Sequence, residues 1–147
     1  MRKLFLAAAT INLLLPVNAD AAGKLEVAQA WIRAAPPGAM MLAGYATLTN
    51  RGDAPIVITG ASSELFASAS LHETVQDGGV EHMRSLGRIE LTPGAELLLA
   101  PGGKHLMLMR PQQALAAGSS VKIHFDTNEP SGADAEFLVR NDAPDIN

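Results

Sequence analysis

The sequence of 147 residues contains no cysteine. This absence excludes disulfide bonds, thiolate nucleophiles, Cys-x-x-Cys redox centres, zinc ribbons and the His₂Cys blue-copper site. Without the thiolate of blue copper, a role in electron transfer is also disfavoured. If the chain binds a soft metal ion, methionine thioether is the only sulfur ligand that it can offer.

The chain also lacks an excess of positive charge and the common catalytic motifs. It has 11 Lys and Arg against 15 Asp and Glu, a net charge of −4. Such a balance is unsuited to holding a phosphate backbone, so we expect no nucleic-acid partner. Neither Gly-x-Ser-x-Gly, His-Glu-x-x-His nor a Gly-rich phosphate loop occurs, and we therefore expect no enzyme of those classes.

Long apolar runs are missing except at the N-terminus. Arg2 and Lys3 precede an almost wholly apolar stretch from 4 to 17, and small residues follow it. The stretch is shorter than the roughly 20 residues that span a bilayer. The pattern predicts a signal peptide over 1–21, cleaved after Ala19 or Ala21, and hence a periplasmic protein that does not insert into the membrane. If cleavage follows Ala19, loss of the two basic residues leaves 9 positive against 15 negative side chains, or −6.

The remaining chain consists of short alternating or apolar segments separated by Gly, Pro, Asn and Asp. This punctuation is typical of an all-β sandwich or barrel. We expect one domain over 22–141, followed by a flexible tail over 142–147. Two stretches, 62–68 and 112–117, are each predicted to form a helical turn.

One predicted hairpin brings a histidine and a methionine together. If Asp77-Gly78 is a two-residue turn, His72 faces Met83 directly, and a four-residue loop over 76–79 gives the same pairing. Directly opposed side chains have Cβ atoms about 4.5–5.5 Å apart and can share a metal ion. The same register pairs Glu73 with His82 on the other face. A three-residue loop would place His72 and Met83 on opposite faces.

A second histidine and methionine lie in His105-Leu106-Met107. Side chains two residues apart in a strand point to the same side, so His105 and Met107 share one face while Leu106 and Leu108 face the core. Two imidazoles and two thioethers are neutral ligands that suit Cu(I), whereas Zn²⁺ gains little from thioether and Ca²⁺ prefers oxygen. Only the imidazoles compete with protons, so we expect affinity for Cu(I) to fall below about pH 6.

The spacing His72-x10-Met83-x21-His105-x-Met107 resembles the signature of PCu(A)C-type periplasmic copper chaperones. The similarity extends over nearly the whole mature chain and includes Ala30-Trp31-Ile32-Arg33-Ala34, Gly44-Tyr45, Thr49-Asn50, Leu71-His72-Glu73-Thr74, Asp77-Gly78-Gly79, Met83-Arg84 and Pro101-Gly102-Gly103. The resemblance implies a cupredoxin-like Greek-key β-barrel with a solvent-accessible Cu(I) site. It also implies delivery of copper towards the binuclear copper site of cytochrome c oxidase, alongside a Sco-type thiol protein. Some members carry a His- and Met-rich tail for Cu(II), which the final residues 142–147 lack.

Other interpretations remain open at this point. Each histidine alone could be a surface residue, and each methionine, Met40 and Met41 included, could be core packing. Met109 and Glu73 are candidates for supporting roles beside the site. Periplasmic copper storage or detoxification without a dedicated recipient is the alternative function, and a copper-dependent redox enzyme is a weaker one. We expect a monomer.

Overall fold

The computed structural model describes residues 21–145, which form ten β-strands and no helix. Within this part of the chain, no helix is therefore long and apolar enough to cross a bilayer. The predicted signal peptide lies outside the described residues, apart from Ala21. The strands are β1 (Leu25–Arg33), β2 (Met41–Asn50), β3 (Ile56–Ser62), β4 (Phe66–Asp77), β5 (Val80–Ser85), β6 (Ile89–Leu91), β7 (Glu96–Leu99), β8 (Lys104–Pro111), β9 (Ser120–Thr127) and β10 (Ala133–Arg140).

Seven of these strands close into a barrel. The ring runs β4-β8-β2-β1-β10-β9-β3 and returns to β4 through the pair Ala61–Ala69. The three remaining strands are short additions, with β5 beside β4, β6 beside β3 and β7 beside β2. Closure leaves the barrel strands without a free edge, which is how many all-β proteins avoid edge-to-edge association. The all-β class is confirmed.

The helical turns predicted over 62–68 and 112–117 are wrong. Strand β4 already begins at Phe66, whose backbone pairs with Pro111, and only turns and bends occur from 112 to 119. Ser and Ala residues permit a helical turn, but Phe66 is buried and is drawn into the barrel wall. Tertiary burial thus overrides a weak local preference.

The barrel interior is filled by alternate residues of its strands. On β8, Leu106 and Leu108 are both fully buried and belong to one continuous apolar cluster with Leu71 and Phe125. The prediction that these two leucines face the core is confirmed. Trp31 and Tyr45 lie outside this cluster, although they are only 4% and 8% exposed.

The turn of the β4–β5 hairpin differs from the predicted one. Asp77 pairs with Val80, so the two-residue turn is Gly78-Gly79 rather than Asp77-Gly78. Both glycines have positive φ, 55° and 82°, as the type I′ turn demands, and glycine adopts this conformation without the steric cost that Asp would bear. Consequently His72 faces Ser85 and Met83 faces Thr74. The register differs from the predicted one by two residues, and an even shift keeps His72 and Met83 on the same face.

Candidate metal-binding site

Three adjacent strands, β5, β4 and β8, carry the four predicted ligands. His72 on β4 lies directly opposite His105 on β8, and their rings are 6.3 Å apart between centroids and tilted by only 24°. Met107 lies opposite Ser70, one diagonal step from His72. Met83 is the corresponding diagonal neighbour of His72 on the other side. The strand register therefore brings all four side chains to one face, around His72.

That face is the outer surface of the barrel. The intervening residues of the same strands, Leu71 and Leu106, point into the core. Exposure nevertheless varies across the four candidates: His105 is 7% exposed, His72 and Met107 are half-buried, and Met83 is 53% exposed. A methionine with half its surface in solvent is not core packing, so the packing interpretation fails for Met83.

The ring of His105 is oriented by a backbone carbonyl. Its Nδ1 lies 3.1 Å from the oxygen of Gly103. A carbonyl can only accept, so Nδ1 carries the proton and the neutral ring keeps a free lone pair on Nε2. The same oxygen accepts the backbone N–H of Thr74 at 3.2 Å, which ties the ring to strand β4. This is the arrangement by which proteins fix the orientation of a metal-binding histidine.

The loop before β8 places that carbonyl. Gly103 N–H donates to the oxygen of Ala100 at 3.1 Å, and Gly102 has a φ of 81°. Pro101 followed by a glycine with positive φ is the residue order of a type II turn. The sequence analysis singled out Pro101-Gly102-Gly103 as part of the family resemblance but missed that its last carbonyl orients His105.

His72 has one polar contact within its strand. Its Nδ1 lies 3.3 Å from Oγ of Ser70, two residues away on the same face. A hydroxyl can donate or accept, so either nitrogen of this ring can hold the lone pair. Ser70 is a second contact that sequence reasoning missed, and only its two-residue spacing from His72 could have indicated it.

Glu73 lies on the reverse face of the three strands and pairs with two cations. Its carboxylate accepts from Arg84 at 2.6 Å on β5 and from Lys104 at 3.0 Å on β8. The predicted partner His82 instead faces Val75, because the hairpin register differs. The hydrogen bond from Arg84, followed by that from Lys104, holds the pKa of Glu73 below its ordinary value. Each member of this triad is the chain neighbour of a candidate ligand.

Residues 21–145 contain no group of three or more His, Cys, Asp or Glu side chains able to hold a metal ion. A site built from carboxylates or several imidazoles, as Zn²⁺ or Ca²⁺ would need, is thus not found in these residues. Two imidazoles beside two thioethers form a different kind of site, whose donors are neutral and half of them soft.

Comparison with known proteins identifies the family. The sequence profile of the LpqE-like lipoprotein family matches residues 25–139. The chain belongs to the LpqE-like family. A relative from Leifsonia xyli subsp. xyli, named as a lipoprotein, is 36% identical and aligns over 86% of this chain and 78% of its own length.

The fold of this LpqE-like protein is shared with solved PCuAC domains. The apo PCuAC domain from PmoF1 is 28% identical, with a TM-score of 0.62 over 83% of this chain and 96% of that one. A protein from Deinococcus radiodurans, solved in solution with Cu(I), is 30% identical, with a TM-score of 0.62 over 85% of this chain and 83% of that one. The predicted resemblance to PCu(A)C-type proteins and the cupredoxin-like β-barrel are confirmed.

An aromatic pair adjoins the candidate site of the LpqE-like protein. Trp31 and Tyr45 are cross-strand partners on β1 and β2, with ring centroids 4.8 Å apart, and the guanidinium of Arg33 lies 5.6 Å from the Trp31 ring centre. Gly44 pairs with Leu106 at the end of the β2–β8 pairing, and Tyr45 and His105 are the residues that follow and precede this pair in the sequence. Trp31 packs on the outer face, because its neighbour Ile32 points into the core, and this explains its absence from the central cluster.

Proposed function

We propose that this protein binds one Cu(I) ion through His72, Met83, His105 and Met107 and carries it to an acceptor protein. The observation that carries the proposal is the convergence of two imidazoles and two thioethers from three strands on one outer face. Four neutral ligands leave the single charge of Cu(I) at the site, which favours this ion over Cu(II). The similar protein from Deinococcus radiodurans was solved with Cu(I), which supports the same ion here.

The gradient of exposure favours transfer over storage. His105 is nearly buried, whereas Met83 is half exposed on β5, a strand that pairs with β4 alone. An incoming thiolate can therefore approach the ion from the side of Met83 and displace that thioether. The more strongly held imidazoles would leave later, so the ion passes between proteins without being released into solution.

The location and the recipient of the copper rest on sequence. A signal peptide over 1–21 would export the protein to the periplasm, and the lipoprotein names within the family agree with export. The resemblance to PCu(A)C-type chaperones points to the binuclear copper site of cytochrome c oxidase as recipient, directly or with a Sco-type thiol protein. We propose this acceptor class, with the protein acting as a carrier rather than an enzyme.

Glu73 and Met109 lie near the proposed ligands but are not ligands of this site. Glu73 touches none of the four ligands, and its pairing with Arg84 and Lys104 makes it a positioning residue that holds β5, β4 and β8 in register. Met109 follows Met107 on the same face of β8 and lies outside the group around His72.

An anaerobic titration of Cu(I) against a chromogenic competitor tests the ligand set. We expect one tightly bound equivalent, and a loss of affinity of at least tenfold in Met107→Leu, since one Cu–S bond is removed. Met40→Leu is the matched control, because Met40 is 61% exposed and lines an apolar pocket with Leu42, on the face opposite the site. Equal affinities of the protein and its Met107→Leu variant would contradict the proposed site.

Transfer to an acceptor separates the chaperone from a storage protein. The Cu(I)-loaded protein is mixed with a purified oxidase copper-site domain or a Sco-type protein. Transfer faster than spontaneous release into a chelator at equal affinity indicates a carrier, whereas transfer no faster than release favours storage.

A further inference from the structure

Two further methionines continue the row of thioethers beyond Met107. Met109 lies two residues along β8 and so points to the same side. Its direct cross-strand partner on β2 is Met41. Strand geometry separates the Cα atoms of Met107 and Met109 by about 6.8 Å, a gap that two flexible thioether side chains can bridge.

Met41 is 42% exposed. Its chain neighbour Met40 is 61% exposed and lines a pocket with Leu42, Pro111 and Leu115. Alternation along β2 therefore sends Met40 and Leu42 to one side and Met41 to the other, with the candidate ligands. Met41 therefore lies on the same outer face as Met109, its cross-strand partner, and Met107.

The side chains that surround these methionines are small. Ala43 and Ser70 flank Met107 on the neighbouring strands, and Ser68 faces Met109 across β4. None of these small side chains can block the movement of a thioether. The sulfur atoms of Met41, Met109 and Met107 can therefore reach the same ion, which would lie over these small residues.

We propose that Met41 and Met109 form a second, weaker site for a soft monovalent ion, with Met107 shared between the two sites. This inference rests on the proposed function, since it gives the ion a route to or from the histidines. The ion would move by ligand exchange: a bond to Met109 or Met41 forms as one to a histidine or Met83 breaks, and its oxidation state is unchanged. Thioethers bind no protons near neutral pH, so occupancy of this site is expected to be independent of pH.

Nuclear magnetic resonance of methionine methyl groups tests the site, with Ag(I) as a stable ion of the same charge and softness. The purified protein, labelled at the methionine ε-carbons, is titrated beyond one equivalent. We expect the first equivalent to shift the methyl signals of Met83 and Met107. The second should shift Met41 and Met109 and leave Met40 unchanged.

Three variants complete the experiment. Met41→Leu with Met109→Leu should abolish the shifts of the second equivalent, change the Cu(I) affinity of the first site by less than about twofold, and slow release of Cu(I) to a chelator severalfold. Met40→Leu should alter none of these quantities. Met41→Leu alone guards against a folding defect of the double variant.

The outcomes separate the two proposals. Shifts of Met83 and Met107 without later shifts of Met41 and Met109 would overturn the second site and leave the copper carrier intact. Equal shifts of Met40, Met41 and Met109 would indicate unspecific binding to exposed thioethers and overturn it as well. Absence of any shift at Met83 and Met107 would instead overturn the proposed function.

Discussion

His105 and His124 differ in the groups that their ring nitrogens contact. Nδ1 of His105 donates to a backbone carbonyl, whereas His124 lies 2.6 Å from Asp134 and 3.6 Å from Asp126 through its two nitrogens. Both ring nitrogens of His124 thus face carboxylate oxygens, whereas Nε2 of His105 has no such partner among the described residues. Residue type alone therefore does not distinguish a ligand from a surface histidine, but the hydrogen-bond partner does.

Asp134 leads to a prediction for stability against acid. The hydrogen bond from Lys122 and then that from His124 hold the pKa of Asp134 below its ordinary 3.8. A carboxyl whose pKa is lower in the folded state contributes stability above the unfolded pKa and loses it as pH falls through the folded pKa. We expect the melting temperature to fall as the pH drops below about 4, and to fall less steeply in Asp134→Asn. Thermal melts at several pH values measure both slopes, and identical slopes would refute the assignment.

At the scale of elements, the β4–β5 hairpin determines where Met83 lies. All residues of β5 are exposed, so no burial holds this strand in its register. Besides the backbone pairing, the type I′ turn at Gly78-Gly79, the Glu73–Arg84 ion pair and the hydrogen bond from Gln76 to Glu81 at 2.8 Å hold it there. Perturbing the turn or the ion pair should affect copper binding more than it affects the barrel.

Gly79→Val tests the contribution of the turn. Gly79 has a φ of 82°, and a branched side chain in this conformation costs about 1–2 kcal/mol. We expect weaker Cu(I) binding in the competition titration, because the strained turn disturbs the placement of Met83. Gly118→Val is the matched control: its φ is 94°, nothing lies within 4 Å of an added Cβ at either glycine, and it is remote in sequence from the ligands. A similar loss of affinity in both variants would contradict a specific role of the turn.

Glu73→Gln tests the contribution of the ion triad. Solvent-screened ion pairs contribute little to stability, so we expect Cu(I) affinity to fall only about two- to fivefold while the fold is retained. Glu26→Gln removes a comparable pair, to Arg51 at 3.2 Å, between β1 and the residue that follows β2. This control should leave the affinity unchanged. Unchanged affinity in Glu73→Gln would show that the triad does not position the ligands.

At the scale of the whole molecule, one buried asparagine joins distant parts of the chain. Asn50 is fully buried, and its Nδ2 donates to the carbonyls of Ala54 at 2.8 Å and Leu91 at 2.9 Å. Its Oδ1 accepts from the backbone N–H groups of Lys24 at 3.2 Å and Gly52 at 2.9 Å. Every hydrogen-bonding position of the side chain is thus used, which connects the start of β1, the β2–β3 turn and β6.

Asn50→Ala should be strongly destabilising. The substitution leaves four backbone groups without their partner, and we expect a loss of about 3–5 kcal/mol in the free energy of unfolding. Asn128→Ala is the control, because Asn128 accepts one exposed hydrogen bond, from Val57 N–H at 2.7 Å, and should cost less than about 1 kcal/mol. Urea denaturation followed by tryptophan fluorescence measures both values. A loss at Asn50 as small as that at Asn128 would contradict the predicted role.

Much of this protein could be predicted from the sequence, because the relevant features depend on strand alternation, on composition and on the number of residues between two positions. Alternation in His105-Leu106-Met107-Leu108 determined which side chains face the core, and the absence of cysteine left thioether as the only sulfur ligand. Regular turn residues indicated an all-β domain. Ten residues separate His72 from Met83, and any hairpin loop with an even number of residues places both side chains on one face. This held although the predicted pairing of the two residues was wrong.

The tertiary structure decided what depends on partners distant in sequence. The hairpin register followed from which two residues best tolerate positive φ. With Gly78-Gly79 as the turn, the cross-strand partner of Glu73 is Arg84 and not the predicted His82. The pairing of β4 with β8 set His72 opposite His105, and the turn before β8 set the carbonyl that orients the His105 ring. The face shared by Met41 and Met109 exists only through the pairing of β2 with β8. Alternation specifies a side of each strand, but only closure of the barrel specifies which strands are neighbours.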